Sequence, residues 1–219
     1  TITHELVTPL GFIKGYATTL LREDTSWDPQ TRQEFLTIID EEADRLRELI
    51  DNLMDSSRLQ SGTLSMSFQP LRLDTFIKEV SMRAHTRYTE LQIDLNIEAP
   101  GLQVSADPTR LAQVLENIIN NAVKYAPGSP LLITLAKTKE QASISIKDSG
   151  PGIPAEQVEK IFNRFYRVKS QNTSIRGTGL GLYICRQIIH AHEGKIEAES
   201  EEGRGTVFKI SLPIESKIN

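Results

Sequence analysis

Ile144, Ile146 and Asp148 fall on one face of a strand, because strand side chains alternate with period two, so Asp148 ends an inward-facing row. A carboxylate in that position needs a strong donor, since burying it unpaired is costly. Ser149-Gly150-Pro151-Gly152-Ile153 comes next, and its two glycines let another group approach the backbone closely. The exocyclic amine of adenine would satisfy Asp148, although a turn of this composition is, taken alone, more often simply a turn. Asn117, Asn121 and Lys124 stand at i, i+4 and i+7 of a helix, a polar stripe opposite the apolar one of Leu111, Val114, Leu115, Ile118 and Ala122. Two amides and an ammonium suit Mg²⁺ and phosphate oxygens. An ordinary solvated face is the plainer reading, but asparagine is a mediocre helix former and its double use needs some other reason. Gly177-Thr178-Gly179-Leu180-Gly181-Leu182 opens another helix, where free N–H groups and the positive end of the dipole favour a phosphate. The run matches neither a P-loop nor a dinucleotide fingerprint. Lys160, Arg164, Arg167, Lys169 and Arg176 lead into it with no acid between them, a local charge of +5. Such a segment reads either as a solvated basic loop or as a lid over ATP phosphates.

The elements that must position these groups fall into two parts. Leu6, Leu10, Ile13, Ala17 and Leu20 step by 4, 3, 4 and 3, an apolar seam on a first helix. A polar stretch from Arg22 to Asp28 breaks it, and Pro29 suits the first turn of a second helix. That helix carries Phe35, Ile39, Leu46, Leu49 and Leu53 on one seam, widened by Ala43, Ile50 and Met54 and interrupted by Glu42. Two such helices cannot cover their own stripes, so residues 1–60 are expected to pair as a homodimer into a four-helix bundle, with packing against the rest of the chain as the alternative. Residues 61–70 read as a linker. Over 71–215 helical and strand signals mix: a helix near Thr75–Tyr88, a strand near Leu91–Ala99, and a helix capped by Asp107-Pro108 and running to Tyr125. A hairpin follows over Leu131–Lys137 and Gln141–Lys147, then a short helix over Ala155–Phe162 and a longer one over Gly179–His192, stopped by Gly194. Strands over Lys195–Glu199 and Thr206–Leu212 close the pattern. The fold class is α+β: a helical hairpin plus an α/β sandwich with a mixed sheet on one side and helices on the other.

Composition excludes several classes. The 219 residues are 38% hydrophobic and 25% charged, as in a folded globular protein. Lys and Arg total 25 against 29 Asp and Glu, a net charge of −4, the wrong balance for coating nucleic acid. The acidity is concentrated in residues 1–60, with 6 basic and 12 acidic side chains. One cysteine, Cys185, excludes an internal disulfide and a multi-cysteine zinc site. No apolar run approaches the roughly 20 residues that span a bilayer, and no signal peptide is seen. His190 and His192, at i and i+2 of a helix, point too far apart to share an ion.

In order and spacing, LENIINNAVKYA, DSGPGI, FNRFYR and GTGLGLYI resemble the ATP-binding domain of sensor histidine kinases over roughly residues 71–214. The resemblance implies that Asp148 binds adenine, that Asn121 coordinates Mg²⁺, and that Asn117 and Lys124 assist with the phosphates of ATP. It extends the nucleotide site to Tyr125, Gly150, Gly152, Ile153, Arg167, Gly177, Thr178, Gly179, Leu180 and Gly181. Phe162, Phe165 and Tyr166 match the family's F-box, where apolar anchoring of the lid is their simplest use. His4-Glu5-Leu6-Val7-Thr8-Pro9-Leu10 resembles the H-box, which makes His4 the phosphoacceptor rather than a chance surface histidine. A neutral imidazole is a fair nucleophile near pH 7, and Glu5 can orient the ring or take its proton. Thr8, one turn along and on the same face, fits the Glu-x-x-Thr pattern that the family associates with dephosphorylating the partner. The resemblance therefore implies a bifunctional enzyme: autophosphorylation of His4 from ATP, transfer to an aspartate of a response-regulator receiver domain, and phosphatase activity toward that regulator. Val7 departs from the family's usual arginine. Because the chain begins three residues before His4, it is expected to be the cytoplasmic fragment of a bacterial protein anchored in the membrane through other regions.

Two other functions are weighed against this one. ATP hydrolases of the same superfamily carry a glutamate at the position of Asn117 to activate water, which an amide cannot do. A degenerate kinase holding nucleotide as a structural ligand is opposed by the presence together of His4, Asp148 and Asn121.

Overall fold

The computed structural model of the protein describes residues 2–60, 65–168 and 178–214. They form two compact units, Thr1–Gly62 and Thr63–Asn219. The first is the expected hairpin of α1 (Ile2–Leu20) and α2 (Pro29–Gln60). Asp28 caps α2, its Oδ1 accepting from the N–H groups of Gln30 and Thr31 at 3.0 Å each and its Oδ2 from the Thr31 hydroxyl at 2.6 Å. Pro29 at the first helical position then loses nothing by lacking an N–H. The turn is held by an aromatic cluster, with Phe35 5.1 Å from Tyr16 and 5.2 Å from Trp27 between ring centroids. The Trp27 indole N–H donates to the Thr19 carbonyl at 3.1 Å. Along the seams Leu49 is buried, Leu6, Ile13, Ile39 and Leu46 are half-buried, and Leu10, Ile50 and Met54 remain exposed.

The second unit is an α/β sandwich. A two-stranded antiparallel sheet joins β1 (Gln69–Arg72) to β3 (Gln103–Ala106). The main sheet has five strands in the order β2-β4-β5-β7-β6: β2 (Ile93–Ile97), β4 (Leu131–Thr138), β5 (Gln141–Lys147), β6 (Lys195–Glu201) and β7 (Gly205–Pro213). β2 runs parallel to β4 and every other pairing is antiparallel. Helices α3 (Leu73–Arg87), α4 (Pro108–Tyr125) and α5 (Gly181–Ala191) supply the apolar partners of its inward row. Ile133, Leu135, Ile144, Ile146, Phe208 and Ile210 from the strands are buried with Leu111, Leu115, Ile118, Ile184 and Ile188 from the helices.

The structure shifts three of the expected elements. Residues 69 and 70, read as linker, already pair in β1, and Ser67 N–H donates to the Asp107 carboxylate at 2.9 Å. The helix expected over Ala155–Phe162 is two 3₁₀ turns, Ala155–Gln157 and Lys160–Phe162. α5 begins at Gly181 rather than Gly179, because Gly179 has φ +68°.

Candidate functional site

Asp148 lies one residue beyond β5, where the β5–β7 register sets it opposite Thr206. Its N–H donates to the Thr206 carbonyl at 2.9 Å. Its Oδ1 accepts from Gly150 N–H at 2.9 Å and Thr206 N–H at 3.2 Å. The second carboxylate oxygen has no partner among the described residues. One oxygen therefore anchors the side chain and the other is left to accept from a ligand. The following turn is built around close backbone packing. Gly152 has φ +73°, and a Cβ there would overlap the Glu201 carbonyl. Its neighbour Ile153 donates its N–H to the Ser200 hydroxyl at 2.8 Å. Gly150 sits against Ala126, at the end of α4, where an added Cβ would come within 2.6 Å of the Ala126 Cβ.

On α4 the Asp107 carboxylate caps the helix by accepting from Thr109 N–H at 3.0 Å and Arg110 N–H at 3.1 Å. The two adjacent asparagines separate in role. Asn120 Oδ1 accepts from the Tyr88 hydroxyl at 2.9 Å, tying α4 to the end of α3. Asn121 lies on the other side, half-buried, with no side-chain partner among the described residues. The Cys185 thiol donates to the Val114 carbonyl at 3.8 Å, and Asn117 Oδ1 stands 3.1 Å from where a Cβ on Gly181 would be. The amide thus lies against the first turn of α5, and a side chain at 181 would push it aside. Lys124 and Tyr125 are exposed at the end of the helix. Burial pushes the Cys185 thiol up to about 12, so behind Asn117 it is a neutral packing group.

The segment between the sheet and α5 is anchored at both ends. Phe162 is buried and meets Phe208 edge-on at 6.4 Å. Phe165 N–H donates to the Gly179 carbonyl at 2.9 Å, and a Cβ on Gly179 would approach the Tyr166 carbonyl oxygen to 2.6 Å. Tyr166 donates its hydroxyl to Gln157 Oε1 at 3.0 Å. Thr178 Oγ1 accepts from Leu180 N–H at 3.3 Å, and Leu180 is buried. The guanidinium of Arg164 lies 4.6 Å over the Phe165 ring, and Arg167 is exposed. The Phe162 anchor is as expected. Lys169, Arg176 and Gly177 lie outside the described residues. Asp148, Gly150, Gly152 and Ile153 thus lie together where the end of β5 meets the end of α4, and Asn117 separately meets Gly181 where the middle of α4 passes the first turn of α5.

No cluster of three His, Cys, Asp or Glu side chains among the described residues could hold a metal alone. A neutral amide oxygen such as that of Asn121 fits a Mg²⁺ ion that takes its remaining ligands from phosphate and water. His192 is structural: Nδ1–H donates to the Ile188 carbonyl at 2.8 Å and Nε2 accepts from Asp107 N–H at 3.0 Å.

In the hairpin unit, His4 is in the first turn of α1, and its side chain lies outside the described part. Pro9 is inside α1, which removes the hydrogen bond that its position would give to the Glu5 carbonyl. Glu5 is half-buried, with Arg45 Nη2 of α2 at 3.9 Å from its Oε2. The same guanidinium lies 3.7 Å from Glu42, which explains how an acid is accommodated in the α2 seam. Thr8 is half-buried and Val7 is 58% exposed. Arg45, Thr206 and Ser200 are site neighbours absent from the sequence expectations. Arg45 is far from Glu5 in sequence, and Thr206 and Ser200 read as ordinary strand positions.

Comparison with known proteins gives two family matches. The model of the His Kinase A (phospho-acceptor) domain matches residues 1–62, and that of the histidine kinase-, DNA gyrase B- and HSP90-like ATPases matches residues 106–216. The sensor protein kinase WalK of Staphylococcus aureus is 34% identical over 219 residues, covering 98% of this chain and 52% of WalK. The sensor protein SrrB of Staphylococcus aureus is 33% identical over 215 residues, covering 97% of this chain and 37% of SrrB. The chain thus spans between about a third and a half of the length of these relatives. Among solved structures, the histidine kinase ThkA in complex with the response regulator TrrA superposes with TM-score 0.74 at 28% identity, over 100% of this chain and 61% of ThkA.

Proposed function

The chain belongs to the sensor histidine kinases of two-component systems, and from that premise we propose that it phosphorylates His4 from ATP, passes the phosphoryl group to an aspartate of a response-regulator receiver domain, and dephosphorylates that regulator. The observation that carries the nucleotide half is the Asp148 carboxylate, fixed through Oδ1 by two backbone N–H groups while its other oxygen stays open to the amino group of adenine. Asn121 would hold the Mg²⁺ of the nucleotide through its amide oxygen, with Asn117 and Lys124 toward the phosphates. When bound, Mg²⁺ neutralises charge on the transferring phosphoryl group.

The His4 nitrogen forms a bond to the γ-phosphorus as the bond from that phosphorus to the bridging oxygen of ADP breaks. Glu5 takes the imidazole proton, and Arg45 keeps a positive charge beside the Glu5 carboxylate. An amide at Asn117 leaves the site without the carboxylate that would activate water, so ATP survives until His4 attacks it. For the reverse activity, the Thr8 hydroxyl on the same helical face helps to place a water against the phosphorylated regulator. The exposed apolar residues Leu10, Ile50 and Met54 support dimerisation of the hairpin. The ThkA complex with TrrA supports a receiver domain as the partner. The rest of the protein is proposed to anchor it in the membrane, while no helix among the described residues is long and apolar enough to cross one.

Labelling with ATP carrying a radioactive γ-phosphate, on this protein and on His4→Gln, tests the reading. The expected product is base-stable, acid-labile label that disappears in His4→Gln. Equal label in both proteins would overturn the assignment of His4. Nucleotide binding with no label in either, on a chain extended upstream and with arginine restored at Val7, would favour a nucleotide-binding scaffold instead.

A further inference from the structure

A polar row crosses three strands at the end of the main sheet. Asp148 follows the inward positions Ile144 and Ile146 of β5, Thr206 shares the inward face of β7 with Phe208 and Ile210, and Ser200 shares that of β6 with Ile196 and Ala198. The register pairs Ser200 with Thr206, and the next step of the β5–β7 ladder pairs Thr206 with Asp148. The Ser200 hydroxyl is fully used. It donates to the Gly205 carbonyl at 2.8 Å, accepts from Ile153 N–H at 2.8 Å, and lies 2.9 Å from the Thr206 hydroxyl. A serine hydroxyl has a single proton and two lone pairs. That proton is committed to a carbonyl, which cannot itself donate, so the proton between the two hydroxyls must come from Thr206. Thr206 Oγ1 is then left with lone pairs alone for any further partner, and a carboxylate beside it also only accepts.

We propose that Ser200 is a positioning residue for base selection: by taking the Thr206 proton it keeps the Asp148–Thr206 edge acceptor-only, so that the site takes a purine with an amino group at the six position and refuses one with a carbonyl there. The proposal rests on the reading of Asp148 as the base-binding group. Ser200 acts through Thr206 and through the turn at Ile153, which places its effect on selectivity rather than on phosphoryl transfer.

Calorimetric titration of the full chain with ADP and with inosine diphosphate, in the presence of Mg²⁺, tests it. The wild-type protein should prefer ADP. In Ser200→Ala the Thr206 proton is released and can turn toward a carbonyl, so the ADP preference should narrow by about fivefold or more. Ser200→Thr, which keeps a hydroxyl at the same place, should retain the wild-type ratio. Thr206→Val should narrow the ratio as well, and adding Ser200→Ala to Thr206→Val should change it no further. Proportional weakening of both nucleotides in Ser200→Ala would show a brace and nothing more, and would overturn the proposal. If Ser200→Ala does not fold by circular dichroism, Thr206→Val decides alone: a wild-type ratio in that variant overturns the proposal. Wild-type protein that binds neither diphosphate would instead bring down the nucleotide reading itself.

Discussion

In the proposed scheme a carboxylate, an amide and an imidazole divide the work, and each can be removed without disturbing the others. Asp148→Asn keeps the shape but replaces an acceptor with an amide that can present its NH₂ to the ligand. ADP affinity should fall about 10- to 100-fold in calorimetry, because the site's buried polar groups are left mispaired. Glu5→Ala and Thr8→Ala should separate the two proposed activities: the first should slow labelling of His4, and the second should chiefly slow release of phosphate from the regulator. Equal loss of both in Thr8→Ala would sink that division. These residues were legible because each belongs to a short run: Asp148 to DSGPGI, Asn117 and Asn121 to one helical stripe. Their supports were not. Ser200, Thr206 and Arg45 meet the site only after strands pair and helices cross, and sequence spacing carries no trace of those long-range approaches. The Tyr88 hydroxyl that occupies Asn120 likewise comes from beyond the end of another helix.

Elements with a local stop signal were placed well, and those that depend on packing drifted. α4 starts at Pro108 under the Asp107 cap, and β5 covers Gln141–Lys147, both as the pattern predicts. The helix expected over Ala155–Phe162 relaxes to two 3₁₀ turns, because only the second, through buried Ile161 and Phe162, is packed into the body, and the first buries no side chain that would hold it on the same axis. β1 was hidden inside an assumed linker because four residues with a proline show no period. The start of α4 also carries a pH dependence. Burial holds His192 below its ordinary value, outweighing the pull of Asp107, and its Nε2 must stay unprotonated to accept from Asp107 N–H. The native state therefore binds fewer protons than the unfolded one over this range, so stability rises with pH and is lost as pH falls below about 6.5. The melting temperature should drop between about pH 7 and pH 5.5, and His192→Gln, though less stable at neutral pH, should show a flatter profile.

At the scale of the whole molecule, the proposed reaction would divide between the two compact units, and the hairpin's apolar stripes ask for a second copy. Replacing exposed Leu10 by aspartate should shift the protein from dimer to monomer in sedimentation, with ADP affinity unchanged because the nucleotide groups belong to the other unit. Val7 is already in solvent, so arginine there should alter the melting temperature little, by no more than ~0.5 kcal/mol in stability, while raising the labelling rate.

The one cysteine has a practical consequence. Thiol reagents attack the thiolate, and burial, which pushes the Cys185 thiol up to about 12, keeps it neutral at pH 7 behind a wall of side chains. The native chain is therefore blank to thiol-directed labels. A cysteine introduced at exposed Lys139 and another at exposed Glu34 would be the only sites to take a maleimide dye or spin label. The separation of the two labels could then be followed as nucleotide is added, in a protein that keeps Cys185 and the packing behind Asn117 intact.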